Sequence, residues 1–326
     1  MKLPFNFNLS LFFRLLLPGF FVSLAFFPLI RLLCVLLSGN IDIEYILTIS
    51  TILIGWFFVV ADMNIYMVLE GRRYWPNILY DLFLNFEKKR LNKLKDDYEK
   101  AKINKDIRRR QEISVELRKF PINEDGDFMA AYPTRLGNLI AEYEDYPKSR
   151  YGINSIFYWY RIWLIVDNDN RKLFEDRYAI ADSAIYMTIA LFIDALMASV
   201  YAIIKGVFNI STLQTPEISI LLIVALISFV GAFLSYRVSL YEHASLGEHY
   251  KSIFDVYGEK LRIENVINKI SQITRNDAIV RASKEEQFRA VWMYLKNYRV
   301  TVDGKVVTVP KLLQDQQHND NEENRL

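Results

Sequence analysis

The sequence predicts an all-α fold: a polytopic helical membrane protein with four transmembrane helices in two hairpins, a mainly helical cytosolic domain and a small C-terminal β-hairpin. Three observations lead there. Charged residues almost vanish from four apolar windows and crowd the rest of the chain. The polar stretch between the second and third windows, Glu70 to Asp182, is far longer than an ordinary connection and needs structure of its own. Lysine and arginine gather after the second window and are missing from the short segment between the first two.

The first window, Leu11 to Leu37, carries only Arg14 and Arg31 as charges, and the second, Tyr45 to Leu69, only Asp62. The third, Ser183 to Ile204, has Asp194, and the fourth, Ile218 to Tyr236, has none. A helix needs about 20 apolar residues to cross the hydrocarbon core, and all four windows are long enough. The first is not read as a cleaved signal, because its apolar core is too long and no small-x-small pattern follows it.

Orientation follows from the basic residues. Asn40 to Glu44 has none and carries Asp42 and Glu44; Gly206 to Glu217 also lacks one, with Lys205 at its edge. Arg72, Arg73, Lys88, Lys89, Arg90 and Lys93 follow the second window. The long insertion and both termini are therefore expected on the cytosolic side of the cell (inner) membrane. The expected organisation is a first transmembrane hairpin over 1–69, a cytosolic insertion over 70–182 and a second hairpin over 183–238. Cytosolic helices with the β-hairpin over 239–313 and a disordered tail over 314–326 complete it.

Charge and cysteine content exclude more than they suggest. A net charge of +2 over 326 residues gives no global field for nucleic acid, and acidic residues match the basic ones along the lysine-rich helices. The single cysteine, Cys34, rules out an intramolecular disulfide.

Within the insertion, Asn77 to Arg118 reads as one long helix, with Leu91, Leu94, Tyr98 and Ala101 at three- and four-residue spacing and Pro121 beyond its end. Arg108 to Arg110 belong to a solvated face, flanked by Asp106 and Glu112. After the fourth window a helix is expected to continue to Leu261, followed by helices over Ile263 to Thr274 and Ser283 to Asn297. "RVTVDGKVVTVP" alternates around Asp303-Gly304, a two-residue turn signal. The tail "QDQQHNDNEENRL" has nothing to bury. "YDLFLNFEKKRL" and "FDVYGEKLRI" form a faint internal echo.

The segment "PTRLGNLIAEYEDYPKSRYG", Pro133 to Gly152, is polar, aromatic and glycine-punctuated. Thr134 can cap a helix starting at Arg135, with Leu136, Ile140 and Tyr143 on one face and Asn138, Glu142 and Asp145 beside it. Pro147 is expected to break this helix, and Tyr151-Gly152 to turn into "INSIFYWYRIWLIV". That apolar segment is too short to span, and its Tyr158, Trp159, Tyr160 and Trp163 suit the headgroup level.

The order Pro133-Thr134-Arg135-Leu136-Gly137-Asn138, Glu142, Tyr146, Arg150-Tyr151-Gly152 and Trp159-Tyr160-Arg161 resembles an uncharacterised family of prokaryotic multi-pass membrane proteins, with a PTRLGN…E…Y…RYG…W-x-R signature. Glu70-Gly71 and the series Tyr241, Ala244, Tyr250, Phe254 and Asp255 fit the same pattern. Tyr160 departs from it, standing where proline is expected. The resemblance implies the membrane topology up to about Leu261 and supplies no activity.

Arg135, Asn138, Glu142, Arg150 and Arg161 form a candidate polar cluster: either a pocket whose arginines grip an anionic ligand, or a lattice that fastens a cytosolic domain. Fastening predicts that Arg135→Ala lowers stability. Asp194 and Asp62 are the candidate intramembrane pathway. Asp194 shares a face with Ala190, Ala198 and Tyr201, opposite a stripe of Ala225, Ser228, Ala232 and Ser235. It is either a carboxyl hydrogen-bonded to a neighbouring helix or part of a water-lined path. Asp62 lies about 8 Å from the cytosolic end of its span at helical rise.

No metal or cofactor is expected. "EHASLGEH" places His249 about 120° around an ideal helix from His243, the wrong face for a paired ligand. No Gly-rich phosphate loop, nucleophile elbow or Cys/His dyad is present. Two readings of function stand. One is a non-enzymatic, self-associating membrane protein with a cytosolic docking or sensing module, extended to ion conduction through the oligomer. Its partners would be the lipid bilayer, further copies of the chain and a cytosolic protein. The other is a membrane-bound enzyme acting on an anionic or lipid-borne substrate through Arg135, Glu142, Arg150 and Arg161.

Overall fold

The computed structural model of the protein describes residues 12–36, 42–123, 126–208, 216–274, 277–297, 299–302 and 305–308. The turn expected at Asp303-Gly304, the tail 314–326 and His318 lie outside the described residues. Helices make up most of the described chain. A π-helical turn, Phe12–Leu16, leads into α1 (Leu17–Leu36), followed by α2 (Ile43–Val60), α3 (Asp62–Leu69), α4 (Asn77–Ile103) and α5 (Ile107–Leu117). Then come α6 (Arg135–Tyr151), α7 (Ser155–Trp163), α8 (Asn168–Phe208), α9 (Ile218–Tyr257), α10 (Glu264–Thr274), α11 (Ala278–Arg281) and α12 (Lys284–Asn297).

Among the described residues, Phe12–Leu32, Asn168–Val207 and Ile218–Lys260 are long and apolar enough to cross a membrane. Glu44–Val60 and Asp62–Leu69 meet the same test only as a pair, bent by 65° at the break between them. Their length and composition are consistent with a membrane protein.

The chain divides into two compact units, each discontinuous in sequence. The first comprises Met1–Arg90, Tyr132–Leu139 and Lys172–Leu246; the second comprises Leu91–Ala131, Ile140–Arg171 and Gly247–Leu326.

In the first unit, α1 packs on α2 where both helices lack side chains. A Cβ on Gly19 would strike the Thr51 carbonyl oxygen, and one on Gly55 would strike that of Leu15. Backbone contact at this distance leaves room for glycine alone, as in close helix pairs within membranes. The α8–α9 hairpin buries Ala190, Ala195, Ala198, Tyr201 and Ala202 on one helix and Leu221, Ser228 and Ala232 on the other. Its outer surface, including Phe192, Leu196, Ile203, Leu222, Leu226, Phe229 and Phe233, is exposed and apolar.

The end of α3 shows how locally the chain is held. Gly71 N–H donates to the Val68 carbonyl at 3.1 Å, and Arg72 N–H to the Met67 carbonyl at 3.0 Å. This paired closure needs a left-handed residue just past the helix end, and Gly71 supplies it at φ 76°. Trp75 Nε1 donates to the same Val68 carbonyl at 2.7 Å, using its second lone pair.

In the second unit, the helix expected as one piece over Asn77 to Arg118 is broken in two. Lys105 adopts φ 55°, and the Asp106 carboxylate accepts from Arg109 N–H at 2.9 Å, capping α5. The break lets the chain fold back, so that Leu91 and Ala101 of α4 share a buried cluster with Ile113, Leu117 and Phe120. A straight helix would leave that apolar stripe in water. The cluster outweighs the cost of one non-glycine residue at positive φ, about 1 kcal/mol.

Pro147 does not end α6, contrary to expectation; the helix runs on to Tyr151. Proline removes one backbone donor, yet the helix is tied on both sides of it. Tyr146 and Tyr151 both donate to Asp255 Oδ1, at 3.0 and 2.8 Å. The helix ends instead at Gly152, with φ 66°. The aromatic segment after it packs within this unit. Tyr158 is buried and donates to the Phe288 carbonyl at 2.9 Å, and Trp159 stacks on Tyr250 with centroids 4.7 Å apart. Tyr160 is exposed. Asp167 caps α8, accepting from Asn170 N–H at 2.9 Å and from the Tyr257 hydroxyl. Those hydrogen bonds, the one from Tyr257 foremost, hold its carboxyl well below the usual range.

Candidate functional site

The five residues of the polar cluster have five separate environments. Arg135, half-exposed, has its Nε 3.9 Å from Glu87 Oε1. Asn138 is buried and spends its side chain on backbone: Nδ2 donates to the carbonyls of Tyr132 and Thr134 at 2.8 and 2.9 Å, and Oδ1 accepts from Tyr132 N–H at 2.9 Å. Glu142 is paired with Lys251 at 2.7 Å. Arg150 is exposed. Arg161 donates to its own helix at the Phe157 carbonyl, 2.7 Å, with its guanidinium 3.9 Å from the Phe157 ring centroid. Burial pushes the Glu142 carboxyl up, more than Lys251 pulls it down.

The Pro133-to-Asn138 segment instead binds backbone. Thr134 Oγ1 accepts from Gly137 N–H at 2.9 Å, capping α6, and donates to the Glu70 carbonyl at 3.0 Å. A Cβ on Gly137 would meet the same carbonyl oxygen. The segment thus holds the turn after α3 against the start of α6, both within the first unit.

The titratable cluster that the structure does assemble lies in the first unit, among the helices of the two hairpins. Tyr66 of α3 donates to Asp182 Oδ1 at 2.6 Å, and its oxygen is also 3.0 Å from His243 Nε2 of α9. His243 Nδ1 is 2.7 Å from the Ser239 carbonyl oxygen. Arg14 Nη2 is 2.5 Å from Asp182 Oδ2. One helical turn along α8, Tyr186 donates to Asp62 Oδ1 at 2.7 Å. Asp182, Tyr186 and His243 are fully buried. A further turn or two along α8, Asp194 Oδ2 accepts from Ser228 Oγ at 2.5 Å.

Of these residues the apolar windows single out Arg14, Asp62 and Asp194 and leave Tyr66, Asp182 and Tyr186 unmarked. The His243 ring, out of register for a metal pair with His249, bridges Tyr66 and Ser239. A signal was present. "DMNIY" and "DSAIY" repeat the same pattern, Asp four residues before Tyr, at Asp62/Tyr66 and Asp182/Tyr186. On a helix that spacing puts acid and phenol on one face, and the two pairs cross over, each tyrosine meeting the other pair's acid.

Such a cluster can bind and pass protons and can hold buried charge in balance. Among the described residues no group of three or more His, Cys, Asp or Glu side chains is placed to hold a metal ion. No family model, curated protein or solved structure matches the chain.

Proposed function

We propose that the protein is a non-enzymatic, self-associating integral membrane protein that forms an ion pathway along Asp194, with a cytosolic docking or sensing module. The observation that carries this reading is the state of Asp194. It stands midway between Ser183 and Ile204, is only half-buried, and accepts a hydrogen bond from Ser228. Lipid can cover the apolar outer surface of α8 and α9. It covers a mid-membrane carboxylate only at a cost of a few kcal/mol, roughly 2.5–3.5 on the mildest scales. Water or a second copy of the chain removes that cost, and a water-lined seam between copies provides both.

The same reading takes α2 and α3 as one broken span, making four spans in two hairpins with both termini cytosolic in the inner membrane. The 65° bend supports this, because the two pieces pass the length and hydropathy test together. It also includes the C-terminal β-hairpin. Arg299–Val302 pairs antiparallel with Lys305–Thr308, Val302 opposite Lys305, which supports it. The resemblance to the uncharacterised multi-pass family belongs to this reading too. The enzyme alternative drew on Arg135, Glu142, Arg150 and Arg161 acting in one cleft. Glu142 is tied to Lys251 and Arg161 to Phe157, so no observation favours it.

The test is reconstitution into liposomes with a cation-flux assay, alongside cross-linking in the bilayer. Wild type should conduct and cross-link as an oligomer, and Asp194→Asn should conduct less while assembling equally well. Protein that passes no ion, with Asp194→Asn indistinguishable from it, leaves Asp194 a packing residue. For topology, Asn40→Cys and Asn209→Cys in a background without Cys34 should label from outside intact cells. Asn104→Cys should not.

A further inference from the structure

The contacts of the Tyr66 hydroxyl call for more hydrogens than the side chains around it carry in their ordinary states. The hydroxyl has one hydrogen. Its oxygen lies 2.6 Å from Asp182 Oδ1 and 3.0 Å from His243 Nε2. On the other edge of the imidazole, Nδ1 faces the Ser239 carbonyl oxygen at 2.7 Å. A carbonyl oxygen only accepts, so Nδ1 must bear the hydrogen of a neutral ring, leaving Nε2 a bare acceptor. An ionised Asp182 is a bare acceptor as well. One hydroxyl hydrogen then faces two acceptors, and the unserved contact sets lone pair against lone pair in a buried site.

One additional proton satisfies both contacts. Placed on Asp182, it is donated to the Tyr66 oxygen, and the tyrosine's own hydrogen turns to Nε2. Placed on Nε2, the imidazolium donates to the Tyr66 oxygen, and the tyrosine's hydrogen turns to Asp182. The two arrangements differ in where the proton sits, and no heavy atom moves between them. We propose that Asp182, Tyr66 and His243 together form a binding site for one proton, shared along the chain, which ties α3 to both α8 and α9. Loss of the proton leaves the Tyr66 hydrogen able to serve only one of Asp182 and His243, so one of these ties opens.

The charged and titratable surroundings suit a proton that is held yet movable. From the turn before α1, Arg14 lies against Asp182 and favours its ionised form. From the start of α3, Asp62 is an acid near Asp182 and opposes the field of Arg14, while Glu70, just past the end of α3, is paired with Arg72. From α8, Tyr178 faces Arg14, its ring centroid 5.7 Å from the guanidinium carbon, and Tyr186 engages Asp62. From α9 the facing group is the Ser239 carbonyl. The site is independent of the Asp194 pathway, and its test requires no ion flux.

The experiment uses the full-length protein in lipid nanodiscs, labelled with 15N-histidine. Nuclear magnetic resonance reports the protonation of both ring nitrogens of His243, assigned by their loss in His243→Gln. Infrared spectroscopy reports a neutral Asp182 carboxyl, assigned by the loss of its band in Asp182→Asn. At neutral pH one of the two, the imidazolium or the neutral carboxyl, should be present in full stoichiometry or divided between them. Raising the pH should discharge both ends in a single shared step. Tyr66→Phe should separate the responses of the two ends. Both groups protonated at neutral pH, neither protonated, or separate steps in the wild type would each overturn the proposal. So would an unchanged shared step in Tyr66→Phe; if that variant does not fold, the wild-type stoichiometry decides alone.

Discussion

Tyr186 and Asp62, 124 residues apart in sequence, meet at 2.7 Å, and the bond is the counterpart of the one from Tyr66 to Asp182. Each tyrosine belongs to the helix that carries the other's acid. Removing the hydroxyl in Tyr186→Phe keeps the ring packing and takes away one interhelical hydrogen bond. Such bonds within membranes contribute roughly 0.6–1.7 kcal/mol, and a loss in that range is expected in unfolding of the protein in lipid. A double-mutant cycle with Asp62→Asn should show that most of the effect is shared between the two residues.

The glycine contact of the first hairpin sets a sharper limit. Gly55→Leu would push a side chain into the Leu15 carbonyl, and backbone cannot yield there as a flexible side chain could. Overpacking typically costs about 1–3 kcal/mol, and this site belongs at or above the top of that range. Gly206→Ala is the control, since its Cβ would meet only Ile218 Cδ1 at 3.8 Å. The control should hold its unfolding midpoint while Gly55→Leu loses several degrees.

Asn138 and Arg135 should behave very differently, although they stand three residues apart. Asn138→Ala strands the Tyr132 N–H and two carbonyl groups that its side chain serves. The expected loss is about 1–3 kcal/mol. Arg135 makes a half-exposed pair at 3.9 Å, and Arg135→Ala should change stability by less than about 1 kcal/mol. Thermal unfolding of both variants checks this. Equal losses would mean that Arg135 has a role beyond its pair with Glu87.

Asp106→Ala tests the break between α4 and α5. The cap is exposed and its loss should cost about 1 kcal/mol. Hydrogen exchange should show the loss concentrated in Ile107–Leu117, with the membrane helices unchanged.

The pH dependence of Glu142 has a definite sign. Burial raises its folded-state carboxyl above the ordinary value of 4.5, so folding favours the protonated form. Its contribution to stability is complete below that ordinary value and is lost as the pH rises through the raised one. Glu142→Gln removes this dependence. The unfolding midpoint of the wild type should fall relative to Glu142→Gln across that interval and run parallel to it above.

Much of the helical fold was legible because apolar length is a one-dimensional property. The windows containing Asp194 and Ile218 to Tyr236 became the cores of α8 and α9, and Thr134 caps α6 as its position suggests. The break at Lys105 was hidden because neither glycine nor proline marks it. Its signals are Asn104 and Asp106, a turn former and a capping residue, which are equally at home on a helix surface. Pro147 misled in the opposite direction, because the tyrosines that hold α6 across it depend on Asp255, a residue distant in sequence. The cluster around Asp182 was hard to see for the same reason. The sequence marks Arg14 and repeats an Asp–Tyr spacing, but only tertiary packing brings Arg14, Tyr66, Asp182 and His243 together.

The crossed tyrosine–acid bonds also fix an order of events during synthesis. They close across 116 and 124 residues, so the acid in the second window is made long before the phenol that will cover it. At roughly 5–20 residues per second, Asp62 waits on the order of 6–25 s for Tyr186 to be polymerised. Throughout that interval Arg14 and Asp62 are without the Asp182 and Tyr186 partners they have in the folded protein. A ribosome stalled between the two hairpins should therefore hold a first hairpin whose Asp62 still lacks its Tyr186 partner, and that bond should await the second.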